Sequence, residues 1–149
     1  MTEIQPLFHH ILVPTDGSQL SITAGRLAVQ LAALHRANIT FVYVVDTAVA
    51  EGVAGASGGE ASQVQSELEL SGQRYLDYLS RLASEANLTP NQVLRHGVPA
   101  SEITNLAREQ SVDLIVIGQV GGRGPRRILI GNVTERVIEH APCPVLVVK

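Results

Sequence analysis

The chain has 149 residues, 45% hydrophobic and 17% charged, the balance of one globular domain able to bury an aliphatic core without disulfides or metal. Eleven Lys and Arg against fourteen Asp and Glu leave a formal charge of −3, which argues against capture of a nucleic acid backbone. One cysteine, Cys143, excludes an internal disulfide and a Cys-x-x-Cys metal site, and no apolar stretch approaches the roughly eighteen residues of a membrane span. With no basic start and apolar run at the N-terminus to suggest a signal peptide, the expectation is a cytoplasmic protein that binds neither nucleic acid nor membrane.

Strand and helix periods alternate along the chain. Ile11 to Pro14 read as a buried strand, and Ser18 to His35 as a helix, with Ile22, Leu27, Leu31 and Leu34 near helical spacing. Ile39 to Val45 is β-branched and aromatic and predicts a strand ended by Asp46. Thr47 to Gln63, rich in Gly, Ala and Ser, reads as a mobile loop. A long helix follows on Val64, Leu68, Tyr75, Leu79, Leu82 and Ala86, broken at Leu88 to Pro90. Gln92 to Arg95 predict a short strand, and Ser101 an N-cap for the next helix. Asp113 to Gly118 is continuously apolar after its first residue, as in a strand covered on both faces. A Gly- and Arg-rich stretch to Gly131 leads into a helix from Asn132 to about His140, and Pro144 to Val148 predict the last strand. The order implies an α/β fold with a mostly parallel sheet and helices on both faces, in one domain over residues 1–149.

Ligands of such sheets sit beyond the carboxyl ends of the strands, where strand order reverses. Two segments are candidates: Val13-Pro14-Thr15-Asp16-Gly17-Ser18 after the first strand, and Gly118 to Thr134 after the fourth. They face each other only if those two strands are neighbours. Gly131 leads into a helix start, whose free amides and positive dipole end form an anion site. Each candidate has a plainer role as well. The glycines suit tight turns, Asp16 suits a helix cap, Thr134 an exposed first turn, and the loop arginines a solvated surface.

The pattern Gly118-x2-Gly121-x9-Gly131, then Val133-Thr134, then His140 to Val148 (His-Ala-Pro-Cys-Pro-Val-Leu-Val-Val), resembles the universal stress protein family. The Val13 to Ser18 start and the Val44-Val45-Asp46 strand end match it too, so the resemblance covers essentially the whole chain. It implies a Rossmann-like, five-stranded domain, usually a homodimer, some of whose members bind ATP. Carried over by position, Asp16 and Val44 would hold the adenine beside Pro14, with Ile117 and Gly118 against the adenosine. Gly121, Gly131, Asn132, Val133 and Thr134 would meet the phosphates, and Arg126 and Arg127 would add charge. Mg²⁺ would bridge phosphates near Asn132 and Thr134, and ADP or AMP would use the same groups.

The chain departs from ATP-binding members at Asn132, where they carry Ser or Thr. Asn is a good N-cap and with Glu135 would make a capping box, occupying the side chain. Two functions follow. One is an ATP-binding stress-response sensor or regulator with at most slow hydrolysis. The other is a dimeric interaction module of the same fold with a degenerate pocket. Pairing of the apolar last strand with its two-fold mate would make the dimer. The phosphate-loop and dinucleotide fingerprints are missing, no nucleophile–base set is evident, and His9-His10 is a poor chelate because adjacent residues point to opposite faces.

Overall fold

A computed structural model describes residues 3–121 and 130–149. Its elements are β1 (His10–Pro14), α1 (Gln19–His35), β2 (Asn38–Asp46), α2 (Thr47–Ser57), α3 (Ala61–Glu85), β3 (Asn91–Gly97), α4 (Pro99–Glu109), β4 (Leu114–Gly118), α5 (Asn132–His140) and β5 (Val145–Val148). All paired strands are parallel, in the order β3-β2-β1-β4-β5. Adjacency of β1 and β4, which the sequence left open, is set by Ile11 beside Leu114 and Leu12 beside Ile115.

Strand alternation sorts the core into two layers. Ile11, Val13, Ile39, Phe41, Tyr43, Val45, Leu114 and Val116 meet Ala24, Ala28 and Ala32 of α1 and Leu76, Leu79 and Ala83 of α3. Leu12, Val42, Ile115 and Ile117 meet Ala100, Ile103, Leu106 and Ala107 of α4 and Val137 of α5. Small helix residues let the helices settle close to the sheet. At Gly72, a Cβ would overlap the Tyr43 ring, and at Gly25 it would stand 2.5 Å from Leu79 Cδ2.

Three local readings are corrected. Of the expected loop over residues 47–63 only 58–60 lie outside a helix, since 61–63 open α3 and 47–57 are α2: Asp46 Oδ1 accepts the amides of Ala48 and Val49 at 3.1 and 3.2 Å, and Gly58 closes the other end at φ +72°. The Ala-rich composition that reads as loop is equally that of a helix, and the cap decides. The α4 start lies at Pro99 behind Val98, upstream of Ser101, because the ring of Pro99 presets the first helical φ. At α5 the cap is Gly131, and Asn132 is the first helical residue. Among the described residues no helix is long and apolar enough to cross a membrane.

Candidate functional site

Strand order reverses between β1 and β4, and the chain ends leaving these two strands build opposite walls of one crevice. On the β1 side, the Thr15 amide donates to the Val42 carbonyl at 2.9 Å, carrying the β1–β2 ladder past the buried Pro14. The chain then turns sharply. Asp16 Oδ1 accepts the Ser18 amide at 2.9 Å, and the Gly17 amide donates to Thr15 Oγ1 at 3.2 Å. Gly17 sits at φ +81°, where L side chains are strained. Ser18 caps α1 by accepting the Ser21 amide at 3.3 Å, while the Thr15 and Ser21 hydroxyls lie 3.0 Å apart beneath the turn. Asp16 is therefore not the helix cap; it closes its own turn and remains exposed at the rim.

On the β4 side, each family glycine is explained by a close approach. A Cβ at Gly118 would stand 3.2 Å from Leu20 Cβ, and one at Gly131 would stand 3.2 Å from Val120 Cα. At Gly121 it would stand 2.5 Å from Asp16 Oδ2, so the two walls meet at this point. The strand end is fixed by Gln119 donating to the Val148 carbonyl and Gly131 donating to the Gln119 carbonyl, both at 2.8 Å.

Behind Gly131 the amides of α5 open toward this end of the sheet. The first intrahelical bond is Glu135 to the Gly131 carbonyl at 2.9 Å, and the glycine cap brings no side chain to close the amides of Asn132, Val133 and Thr134. The expected capping box of Asn132 with Glu135 does not form, because Asn132 lies one position too far into the helix to cap it. Asn132 and Val133 are exposed. Thr134 is not on an exposed first turn: it is 3% exposed, and its hydroxyl donates to the Gly118 carbonyl at 2.7 Å. That bond ties the start of α5 to the end of β4.

Pro14, Val44 and Ile117 share one sheet face with Leu12, Val42 and Ile115, by the two-residue period of the strands. Pro14 pairs with Val42, so Val44 lies one step beyond it toward the carboxyl end. Val44 is half-buried and Ile117 is buried, giving the crevice an aliphatic floor. Arg126 and Arg127, with Arg123, lie outside the described residues. Sequence reasoning missed Ser21 and Leu20, which have no motif, only a place in the fold, and it gave Thr15 no role of its own within the Val13–Ser18 segment; these residues shape the β1 turn and the wall facing Gly118.

Among the described residues no group of three His, Cys, Asp or Glu could hold a metal ion. Both ring nitrogens of His10 are engaged, with the Gln110 carbonyl at 3.2 Å and Thr40 Oγ1 at 2.8 Å. Cys143 is half-buried against the α4–α5 layer, and burial first, then the charge of Asp113, pushes its thiol pKa up, against a smaller opposing effect of the Ile115 backbone. A thiol held protonated packs as a small apolar group and is a poor nucleophile.

Residues 7–149 match the Universal stress protein family. Universal stress protein MJ0531 of Methanocaldococcus jannaschii is 38% identical over 143 residues, covering 96% of this chain and 83% of that protein. The solved structure of protein MJ0577 from the same organism superposes with a TM-score of 0.83 at 25% identity, over 95% of this chain and 96% of that one. Two further structures share the fold at lower identity. One is a universal stress protein in complex with cAMP (TM-score 0.67, 24% identity, 95% of this chain and 97% of that one). The other is the Archaeoglobus fulgidus universal stress protein in complex with dAMP (TM-score 0.68, 20% identity, 97% of this chain and all of that one). With its glycines, its strand order and its α5 start all in the arrangement described, the chain belongs to the universal stress protein family.

Proposed function

We propose that the crevice between β1 and β4 binds an adenine nucleotide, ATP first among them, and that the protein acts in the stress response as a nucleotide-dependent sensor or regulator. The observation that carries this reading is the meeting of Asp16 with Gly121 directly ahead of a glycine-capped helix start. In this reading the base lies over Pro14, Val44 and Ile117, with its amino group offered to the Asp16 carboxylate. The backbone at Gly118, Gly121 and Gly131 leaves room for the ribose and phosphates, and the first amides of α5 donate to phosphate oxygens. Each amide donating to a charged oxygen contributes about 1.5–3 kcal/mol, and micromolar affinity requires about 8 kcal/mol net, so three such bonds and a base pocket suffice after binding costs. The family members in complex with cAMP and dAMP lend support, since both ligands are adenine nucleotides.

Mg²⁺ would arrive on the nucleotide and be held chiefly by its phosphates. Thr134 is 3% exposed with its hydroxyl turned to the Gly118 carbonyl, so burial keeps that side chain from serving as a ready metal ligand. Among the described residues of the crevice walls no acid–base pair stands ready to activate water, and the expected turnover is slow or absent. Calorimetry with ATP, ADP, AMP and cAMP, with and without Mg²⁺, tests the reading, as does release of nucleotide from acid-denatured purified protein. Micromolar binding of at least one of them is expected; heat-free titrations together with an empty supernatant reject it.

Asn132 favours a second reading, a regulatory module with a degenerate pocket. If it holds, Asn132→Ser creates or sharply strengthens ATP binding; equal affinity of the two proteins removes it. Either way the chain is read as a cytoplasmic homodimer joined through β5. That strand lies at the sheet edge with Leu146 exposed, and Val133 and Ile138 of α5 are exposed apolar residues as well. Light scattering that finds only monomer at high micromolar concentration contradicts the dimer.

A further inference from the structure

We propose that Tyr75 is a positioning residue for the nucleotide crevice: its ring, carried by α3, clamps the Asp16–Ser18 turn and so aims the Asp16 carboxylate. This rests on the nucleotide reading above and adds a residue from an element that does not itself line the crevice. The contact is unusually close. A Cβ at Gly17 would overlap the Tyr75 ring at Cζ, Cε1 and Cε2 together, so the ring lies flat over the glycine rather than touching it with one edge. Gly17 needs its missing side chain twice, once for φ +81° and once for this ring.

The ring is itself held. Tyr75 is half-buried, and it packs against Tyr43 of β2 with ring centroids 6.0 Å apart and planes tilted by 53°. Tyr43 in turn fills the space over Gly72, one helical turn before Tyr75 on α3. The β1 turn is thus pressed from one side by a ring braced on β2 and α3. On the other side Asp16 Oδ2 stands against Gly121. Within the turn, the Ser18 amide donates to Asp16 Oδ1 at an exposed position and the Gly17 amide donates to Thr15 Oγ1 in a part-buried bond, so the bond that holds the carboxylate to the turn is open to water and depends on the ring for its shape.

The chemistry affected is base choice. A fixed carboxylate accepts from the exocyclic amino group of adenine and repels the carbonyl oxygen that guanine presents at the same ring position. Losing its aim therefore weakens ATP more than GTP. A general loss of fold would weaken both alike.

The test compares wild type, Tyr75→Leu and Tyr75→Phe. Leucine keeps an apolar side chain over the core but removes the flat ring; phenylalanine restores the ring. Hydrogen exchange at the Gly17 and Ser18 amides reports the clamp with no nucleotide present, and titrations with ATP and GTP report its use. Expected are faster exchange and about a tenfold fall in the ATP-to-GTP preference in Tyr75→Leu, the worth of one well-aimed bond to a charged acceptor, with both restored in Tyr75→Phe. Faster exchange with an unchanged preference overturns the positioning role. Unchanged exchange overturns the clamp, whatever the titrations give. A wild type that binds neither nucleotide refutes the nucleotide reading and the positioning role with it, and the exchange data still tell whether the clamp exists. Should Tyr75→Leu not fold, Gly17→Ala, whose methyl group pushes the ring away, is measured in the same way.

Discussion

The two ends of the same sheet are built in opposite ways. At the amino end, distant segments are stitched with side chains. Asp113, at the entrance to β4, accepts the amides of His9 and His10 at 2.8 and 3.0 Å, and its own amide donates to the His10 carbonyl at 3.0 Å. The His10 ring joins the Gln110 carbonyl to the fully buried Thr40, whose hydroxyl donates to Gln110 Oε1 at 3.0 Å. At the carboxyl end, glycines stand where those side chains would be, and the walls come together at the close approach of Asp16 to Gly121. Polar groups that satisfy one another rigidify; backbone left open is available to a ligand. One end holds the fold, and the other is left for the site.

The largest expected effect tests this division at the open end. Gly121→Val puts a side chain where Asp16 Oδ2 now lies, 2.5 Å from the new Cβ. To clear the new side chain the carboxylate must turn away and gives up its bond to the Ser18 amide, so stability falls by about 0.5–1.5 kcal/mol, the worth of one hydrogen bond at an exposed turn. Nucleotide affinity falls at least tenfold, because the same movement removes the base contact and fills the crevice. Chemical denaturation and calorimetry on one preparation give both numbers. A variant that loses stability and keeps affinity reverses the division.

The mirror experiment is Asp113→Ala. The amides of His9 and of His10, the first residue of β1, lose a charged acceptor, a loss of about 1.5–3 kcal/mol for a buried arrangement and less here, where the site is part-exposed. Affinity for nucleotide stays as in wild type, since this residue lies at the far end of β4. A drop in affinity matching the drop in stability would mean that the two ends are not separable.

The contrast also marks what could be read from the sequence. The carboxyl end was legible because its requirements are local: Gly17 follows Asp16, and Gly118, Gly121 and Gly131 flank a strand end and a helix start. The strands were legible from β-branched runs such as Ile39 to Val45. The amino end was invisible. The bonds from Asp113 to His9 and His10 span 104 and 103 residues, and no local pattern announces a partner at that distance. Helix α2 was missed for a related reason: its Gly and Ser weaken helix propensity, and only the Asp46 cap and the packing of Ala50 and Ala54 select the helix. The capping box at Asn132 was misread by one residue, which is enough to move a side chain from the cap to the first turn.

The smallest expected effect concerns Cys143, which belongs to the stitched end through the charge of Asp113. Its thiol pKa is raised in the folded protein, burial being the larger cause and Asp113 the second. The sign follows from linkage. A group whose folded pKa lies above its unfolded value favours the fold in its protonated form, so its contribution is fully present below the unfolded thiol pKa and is lost as pH rises through the folded one. The alkaline limb of stability should therefore steepen just above the ordinary thiol range, and Cys143→Ser should flatten it. Alkylation of the folded protein should lag behind that of the unfolded chain at mildly alkaline pH. Asp113→Ala shifts the alkylation profile part of the way toward lower pH and no further, because burial by the α4–α5 layer remains. A complete return to ordinary thiol behaviour in that variant would mean that the β4 entrance had opened to water, and that Asp113 closes the amino end of the sheet as well as joining its strands.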